Sequence, residues 1–538
     1  MSLEEITQPG LPIHRCLQLL GEHDNIAVQH RLVQRLQEYP AAELEFYIPQ
    51  LVDLVTRGSR ALETFLLAHA VAHPHFSVVT FWRCQAILPN IAPALLPALR
   101  AFLTRLQHVL FTDNEAKETR YTLSAVAVAA YTTCVALPGA TIAPILAQEL
   151  GSTLAGADTG YTRRETTFIM QLQNISHRLV QLPKEARSAA LQAELALLNQ
   201  QLPGAGVDIP QLVDHKIVRL PEAVVLSSAE RAPFLLFLEY LRGDPELADE
   251  ADLGEPFRAP PRPESTAQAA QTVVAAAMIG QLTDPAIRER LVASLRAEAA
   301  EETYAERRAR IRAQSPWGRY PGWSLACVIV KTAAEIVEEA RAAQLVSMIA
   351  RVYTRGWVKE MRVVPISATT ALVEVIAASS IHAVKRATSL KAYVRNVENF
   401  AVSLASYSIL CYVMQVKDRH NGNIMVDGEG HVVHIDFGFV LGRAPGPFEA
   451  APFKLTGEYV EILGEKYGLF VETCKVCFRD LRRGWERLAP FMDVRRLHLE
   501  LDEGEAEVFV ERLIAQSRES LSTRIYDRYQ LVTQGILP

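Results

Sequence analysis

The chain of 538 residues carries 55 Lys and Arg against 61 Asp and Glu, a net charge of −6, with 49% hydrophobic and 22% charged residues. At roughly 150 residues per domain this length predicts three or four domains, and the globular composition excludes wholesale disorder. The mildly negative balance argues against a protein that grips nucleic-acid phosphates, so no nucleic-acid partner is expected and any attraction to a membrane must come from local patches.

Seven cysteines, scattered and odd in number, fit a reduced, cytoplasmic chain. Only Cys474 and Cys477 are close together. With no second pair at zinc spacing, they read as two cysteines packed on one helix. The opening MSLEEITQPG is acidic, unlike a secretion signal, and Ser2 excludes N-myristoylation. The longest apolar stretch, Leu123 to Leu137, ends at Pro138 and is too short to span a bilayer. No transmembrane segment is expected.

Residues 1–200 read as helix after helix, with Leu17, Leu20, Leu32 and Leu36 at helical spacing and ALQAELALLNQQL (190–202) stopped by Pro203-Gly204. Residues 201–305 form a connecting segment. It begins with strand-like runs at 217–220, 223–228 and 232–241 and continues into an acidic, Pro-rich linker at 243–264. From 306 to 538 the pattern changes again. A basic helix (306–314) precedes a strand, WSLACVIVK (323–331), a helix over 335–353, strands at 361–366 and 371–377, and a largely helical remainder. The fold class is α+β: an N-terminal all-helical domain followed by a bilobal, kinase-like catalytic domain.

One hairpin interrupts that helical remainder. In VKDRHNGNIMVDGEGHVVHIDFGF (416–439), Ile424–Val426 and Val432–Ile435 are short strands joined through Asp427-Gly428. Antiparallel pairing brings Asn423 beside Asp436. An amide oxygen next to a carboxylate suits Mg²⁺, which takes few protein ligands and keeps phosphate and water. Asp418, five residues before Asn423, can then face a substrate hydroxyl. Protein kinases share this logic, although here the triplet is reversed to Asp-Arg-His. His420 reads equally as a proton carrier or as a structural imidazole, and Arg419 as an internal salt-bridge partner.

DRHNGNIM (418–425) followed by HIDFGF (434–439) resembles the phosphatidylinositol 3-/4-kinase family, in its type III 4-kinase branch. Further likeness lies in SPWGRYPGWSLACVIVK (315–331), SSIHAVKR (379–386), FKLTGEYVEILG (453–464), STRIYDRYQLVTQGIL (522–537), much of 191–241 and EFYIPQLVDLV (45–55). The resemblance implies a helical domain of the lipid-kinase type over 1–200 and a catalytic domain over 306–538. It implies ATP with Mg²⁺, or Mn²⁺ in its place, and transfer to the 4-hydroxyl of phosphatidylinositol on a membrane.

Residue by residue, Lys331 would hold the ATP phosphates and Glu339 would pair with it, with Glu335 and Glu338 as neighbouring alternatives. Ser315, in the loop with Gly318 and Gly322, would cover the phosphates, and Glu374 and Val375 would meet adenine. Asp418 would orient the hydroxyl, His420 would assist with the proton, and Asn423 and Asp436 would hold the metal. Arg443 and Lys454, in the segment after Asp-Phe-Gly, would face the headgroup. The family also implies peripheral attachment to Golgi or other endomembranes through a small GTPase or a Golgi adaptor.

Three departures stand against the family pattern. Gly-Asp-Asp-Leu-Arg-Gln is replaced by Ala333-Ala334-Glu335-Ile336-Val337-Glu338, the loop between Leu390 and Phe400 is short, and the long N-terminal extension and Ser-rich insert are missing. The first puts ATP affinity in question. The alternatives are a protein kinase of the atypical lipid-kinase-like group and a catalytically weak scaffold.

Overall fold

The computed structural model describes residues 10–111, 161–202, 206–210, 212–226, 231–242, 304–446 and 449–538. The apolar stretch at 123–137 and the 243–264 linker lie outside the described residues. The chain divides into two compact units, Ala41–Ala334 with Val364–Val375, and Met1–Pro40 with Glu335–Val363 and Ile376–Pro538.

In the first of these units, helices run over Ile48–Thr56, Arg60–Ala72, Pro74–Ile87, Leu96–Phe111, Tyr161–Val180 and Arg187–Gln201. Pro49 and Pro74 sit in first turns, where a missing N–H costs nothing. Leu51, Leu62, Phe65, Trp82, Phe102, Leu106, Ile169 and Leu172 bury their apolar faces. The sheet that follows contains strands β1 (Val207–Ile209), β2 (Leu212–Arg219), β3 (Ala223–Val225), β4 (Phe234–Arg242), β5 (Trp323–Thr332), β6 (Val363–Pro365) and β7 (Thr370–Glu374). Their order is β1-β2-β4-β5-β7-β6, with β3 also paired to β4.

β4 and β5 pair along their length, from Phe234 opposite Val330 to Leu241 opposite Trp323. The boundary drawn at 305–306 from the sequence therefore falls within one continuous sheet. Side-chain hydrogen bonds fasten helices to it. The Ser176 and Thr332 hydroxyls meet at 2.6 Å, and Asn199 bonds both the N–H and the C=O of Leu220, each at 2.8 Å.

The second unit includes Ile13–Glu22 and Ile26–Leu36, so the helices up to residue 36 group with the C-terminal part of the chain and not with the helices after residue 41. Its centre is the helix Val397–Met414, buried on nearly every side and capped by Asn396, whose side chain accepts the N–H groups of Glu398 and Asn399. Among the described residues it is the one helix long and apolar enough to cross a membrane, and 72% of it is buried. A three-stranded antiparallel sheet, β10 (Val432–His434), β9 (Ile424–Asp427) and β8 (Ala378–Ser380), packs on it with the helix Tyr467–Arg483. Cys474 and Cys477 are free and buried on that last helix.

Candidate active site

The β9–β10 hairpin sets the site. Ile424 pairs with His434 and Val426 with Val432, and the Asp427 carboxylate closes the turn by accepting the N–H groups of Glu429 (2.9 Å) and His431 (2.8 Å). Gly430 is required at φ 91, where an added Cβ would lie 2.8 Å from the Asn396 carbonyl oxygen. One further ladder bond, from the Ile435 N–H to the Asn423 C=O (3.1 Å), carries the pairing past the strands and leaves Asn423 and Asp436 at one end.

The loop ahead of the hairpin delivers Asp418. The Asn423 amide nitrogen donates to the Asp418 carbonyl at 3.0 Å and to Asp418 Oδ2 at 3.1 Å, while the Tyr526 hydroxyl donates to Oδ1. Burial, with Asp418 beside it, raises the Tyr526 hydroxyl well above the usual phenol range, so Tyr526 is the donor and Asp418 the acceptor. Asp418 and Asp436 stand at φ 63 and 58, a left-handed conformation that Asp tolerates better than most residues.

Because its nitrogen is engaged by Asp418, Asn423 has its amide oxygen left for a cation. The Asp436 carboxylate, on the residue after the Ile435 ladder bond, is the second hard-oxygen group at this end of the hairpin. Among the described residues no cluster of three or more His, Cys, Asp or Glu builds a complete cage. Two protein ligands, with phosphate and water filling the rest, fit Mg²⁺.

Arg419 is not the ion-pair residue that the sequence suggested. Its guanidinium donates to three carbonyls, Lys417 (2.9 Å), Ile435 (2.9 Å) and Asp436 (2.7 Å), and lies over the Phe437 ring. This clamps the 417–419 loop to Ile435 and Asp436, the two residues that follow β10. His420 Nδ1 accepts the Gly422 N–H at 3.1 Å and Nε2 lies 3.7 Å from Asp418 Oδ1. Burial lowers its pKa, with Asp418 opposing, which keeps the ring neutral with Nε2–H as donor.

The headgroup pair separates. Arg443 is exposed. Lys454 is buried, its ammonium 2.6 Å from Asp527 Oδ1, so an ammonium expected at the headgroup is enclosed instead within an internal ion pair. Glu339, on the helix Ile336–Val352, is buried, whereas Glu335 and Glu338 are only half-buried.

The remaining candidates belong to the other unit. Lys331 lies on β5 opposite Ala371, Glu374 ends β7 opposite Val328, and Val375 follows it, half-buried. The Ser315 hydroxyl donates to the buried Glu239 carboxylate and accepts the Trp317 N–H at 3.1 Å. Glu239 also binds Arg219 (2.7 Å) and Trp323 Nε1 (2.8 Å). Ser315 thus anchors its loop through its hydroxyl. A Cβ at Gly318 would meet the Arg312 carbonyl oxygen at 2.0 Å, which makes that glycine obligatory.

Residues 324–493 match the family model described as phosphatidylinositol 3- and 4-kinase. The chain carries a phosphatidylinositol 3- and 4-kinase domain. It is 33% identical over 577 residues to phosphatidylinositol 4-kinase PIK1a of Candida albicans, covering 70% of this chain and 60% of that protein. It is 30% identical over 630 residues to phosphatidylinositol 4-kinase PIK1 of Saccharomyces cerevisiae (70% and 59%) and 30% identical over 493 residues to phosphatidylinositol 4-kinase beta of Xenopus tropicalis (69% and 61%). The chain thus spans about 60% of the length of these curated relatives.

Within the kinase domain and the C-terminal helix Leu521–Gln534, sequence reasoning missed Glu449 and Tyr526 as partners of the loop that carries Asp418. They lie 31 and 108 residues from Asp418, and nothing in the local pattern announces either contact.

Proposed function

We propose that the chain transfers the γ-phosphate of ATP to the inositol 4-hydroxyl of phosphatidylinositol at a membrane surface, giving phosphatidylinositol 4-phosphate. The observation that carries this reading is the convergence of Asp418, Asn423 and Asp436 within a matched kinase domain. Asp418, held as an acceptor, orients the attacking hydroxyl. Asn423 and Asp436 would hold Mg²⁺, or Mn²⁺ in its place, which would supply charge neutralisation on the phosphates. Lys331 fixes the α- and β-phosphates, the loop anchored by Ser315 covers them, and Glu374 and Val375 receive adenine.

His420, neutral with Nε2–H as donor, supports Asp418 and the transferring oxygens. Little covalent work falls to the protein, since positioning and charge stabilisation do most of it.

Unmodified phosphatidylinositol fits the charge of the segment from 439 to 454. Lys454 is neutralised by Asp527 and Glu449 is engaged by backbone amides, leaving Arg443 as the exposed cation there. One cation matches one phosphodiester, whereas each extra monoester would add about −1.5 to −2. A small GTPase or Golgi adaptor is the proposed recruiter, with peripheral attachment to Golgi membranes.

The test is incubation of the chain with labelled ATP and vesicles of phosphatidylinositol, its 4-phosphate or its bisphosphate, with a peptide library alongside. Product confined to the first vesicles and migrating as the 4-phosphate supports the reading. A 3-phosphate, comparable turnover on bisphosphate, or peptide labelling alone overturns it.

A further inference from the structure

Glu449 stands on the segment that follows the metal-side carboxylate, yet both its oxygens face the catalytic loop. One accepts the backbone N–H of Asp418, the other the N–H of Arg419 at 3.0 Å, and the Glu449 carbonyl accepts the Lys417 ammonium at 2.7 Å. Successive amides converging on one anion form a nest, a backbone arrangement that needs an unusual φ at one position. Asp418 supplies it at φ 63. Such a conformation persists only where surrounding contacts over-determine it. Arg419 holds the loop from the strand side, through the carbonyls of Ile435 and Asp436. Among the described residues, only the Glu449 carboxylate holds the two amides.

We propose that Glu449 is a positioning residue for catalysis: its carboxylate, seated in the nest of the Asp418 and Arg419 amides, fixes the backbone from which the Asp418 side chain reaches the substrate hydroxyl. This rests on the assignment of Asp418 to that hydroxyl. The segment before Lys454 thereby does two things, since the residue that closes the loop around Asp418 belongs to the stretch assigned to the headgroup. A disturbance of that stretch is transmitted to the attacking geometry through two hydrogen bonds. An error of about 1 Å at the reacting atoms is enough for a loss on the order of 10²-fold.

A carboxamide offers a single acceptor oxygen and turns an NH₂ toward the second amide. Glu449→Gln is nearly the same size, so it removes the double acceptance while preserving packing. The expected result on phosphatidylinositol vesicles is a kcat lowered by about 10- to 100-fold with the KM for ATP unchanged and normal thermal unfolding.

Glu449→Ala leaves the nest without its anion, and added formate should restore a substantial part of its kcat. Formate should do nothing for Glu449→Gln, where the side chain fills the space. An unchanged kcat in Glu449→Gln overturns the proposal, as does a raised ATP KM or a Glu449→Ala variant indifferent to formate, since either marks a purely structural tether. If the unsubstituted chain itself fails on phosphatidylinositol, the substrate reading falls separately. The same comparison is then read on ATP hydrolysis, where Asp418 would orient water in place of the lipid hydroxyl.

Discussion

Asp527→Ala would leave the Lys454 ammonium enclosed without a counter-ion, its side chain 3% exposed. Breaking a buried pair from one side costs about 3–5 kcal/mol. The chain has one escape, which is to release the proton. Burial already lowers the Lys454 pKa, with Asp527 opposing the shift. With an unfolded Lys pKa of about 10.4, neutralising the group costs at most about 4.6 kcal/mol at pH 7 and about 1.9 kcal/mol at pH 9, at 1.36 kcal/mol per unit. Because the folded pKa lies below the unfolded one, the unfolded state binds more protons, and the variant must gain stability as pH rises toward 10.

The expected drop in Tm at pH 7 is roughly 6–20 °C, taking about 2–4 °C per kcal/mol. It should shrink markedly at pH 9. The paired replacement Lys454→Met with Asp527→Leu removes both charges and should recover most of the loss, as apolar substitutes for buried pairs do. Near-ultraviolet circular dichroism melts of the parent and the two variants at the two pH values measure this directly. A variant that melts with the parent, a deficit independent of pH, or a double variant worse than the single one would refute the reasoning.

Three further outcomes follow from the same contacts. Asp418→Asn and Asp436→Asn should each lower lipid phosphorylation on the order of 10³-fold, about 4 kcal/mol of transition-state stabilisation, without changing the melting temperature; more than a tenth of the activity remaining in either would remove the assignment. His69, packed among His73, Phe65 and Phe76, has its pKa lowered by burial to about 4. Its contribution is therefore complete above about pH 6.5 and lost as pH falls toward 4, and His69→Phe should flatten that acid limb in melts taken across pH. Gly430→Ala combines φ 91 with a clash at 2.8 Å and should destabilise the hairpin by about 1–3 kcal/mol, read as a lower denaturant midpoint.

The site was legible in the sequence wherever its contacts are local or follow from strand pairing. Alternation and an Asp-Gly turn are enough to place Asn423 beside Asp436, and an apolar run is enough to put Lys331 on a strand. Periodicity likewise placed the helices Arg187–Gln201 and Ile336–Val352. Three matters needed the third dimension. Lys454 looked like a surface cation because nothing near it announces Asp527, 73 residues on. Arg419 looked like half of an ion pair because carbonyls of a distant strand leave no signature in residue types. The helices before residue 40 looked continuous with those after it, since amphipathic periodicity tells which face is buried and not against what.

The helix Val397–Met414 has a consequence for how the chain must be made. It is apolar almost all round, and although residues 353–359 bond to Ser406 and Tyr407, much of its cover comes from β10 and from the helix Tyr467–Arg483, both later in the chain. Arg483 lies 69 residues beyond Met414. At about 5–20 residues per second, a ribosome needs roughly 3–14 s to supply that cover once the helix has been synthesised. Throughout that interval the nascent polypeptide displays a segment with the hydropathy of a membrane span. Holding it apart from bilayers and from its own copies falls to factors that attend the emerging chain, and slowing synthesis between codons 414 and 483 lengthens their task.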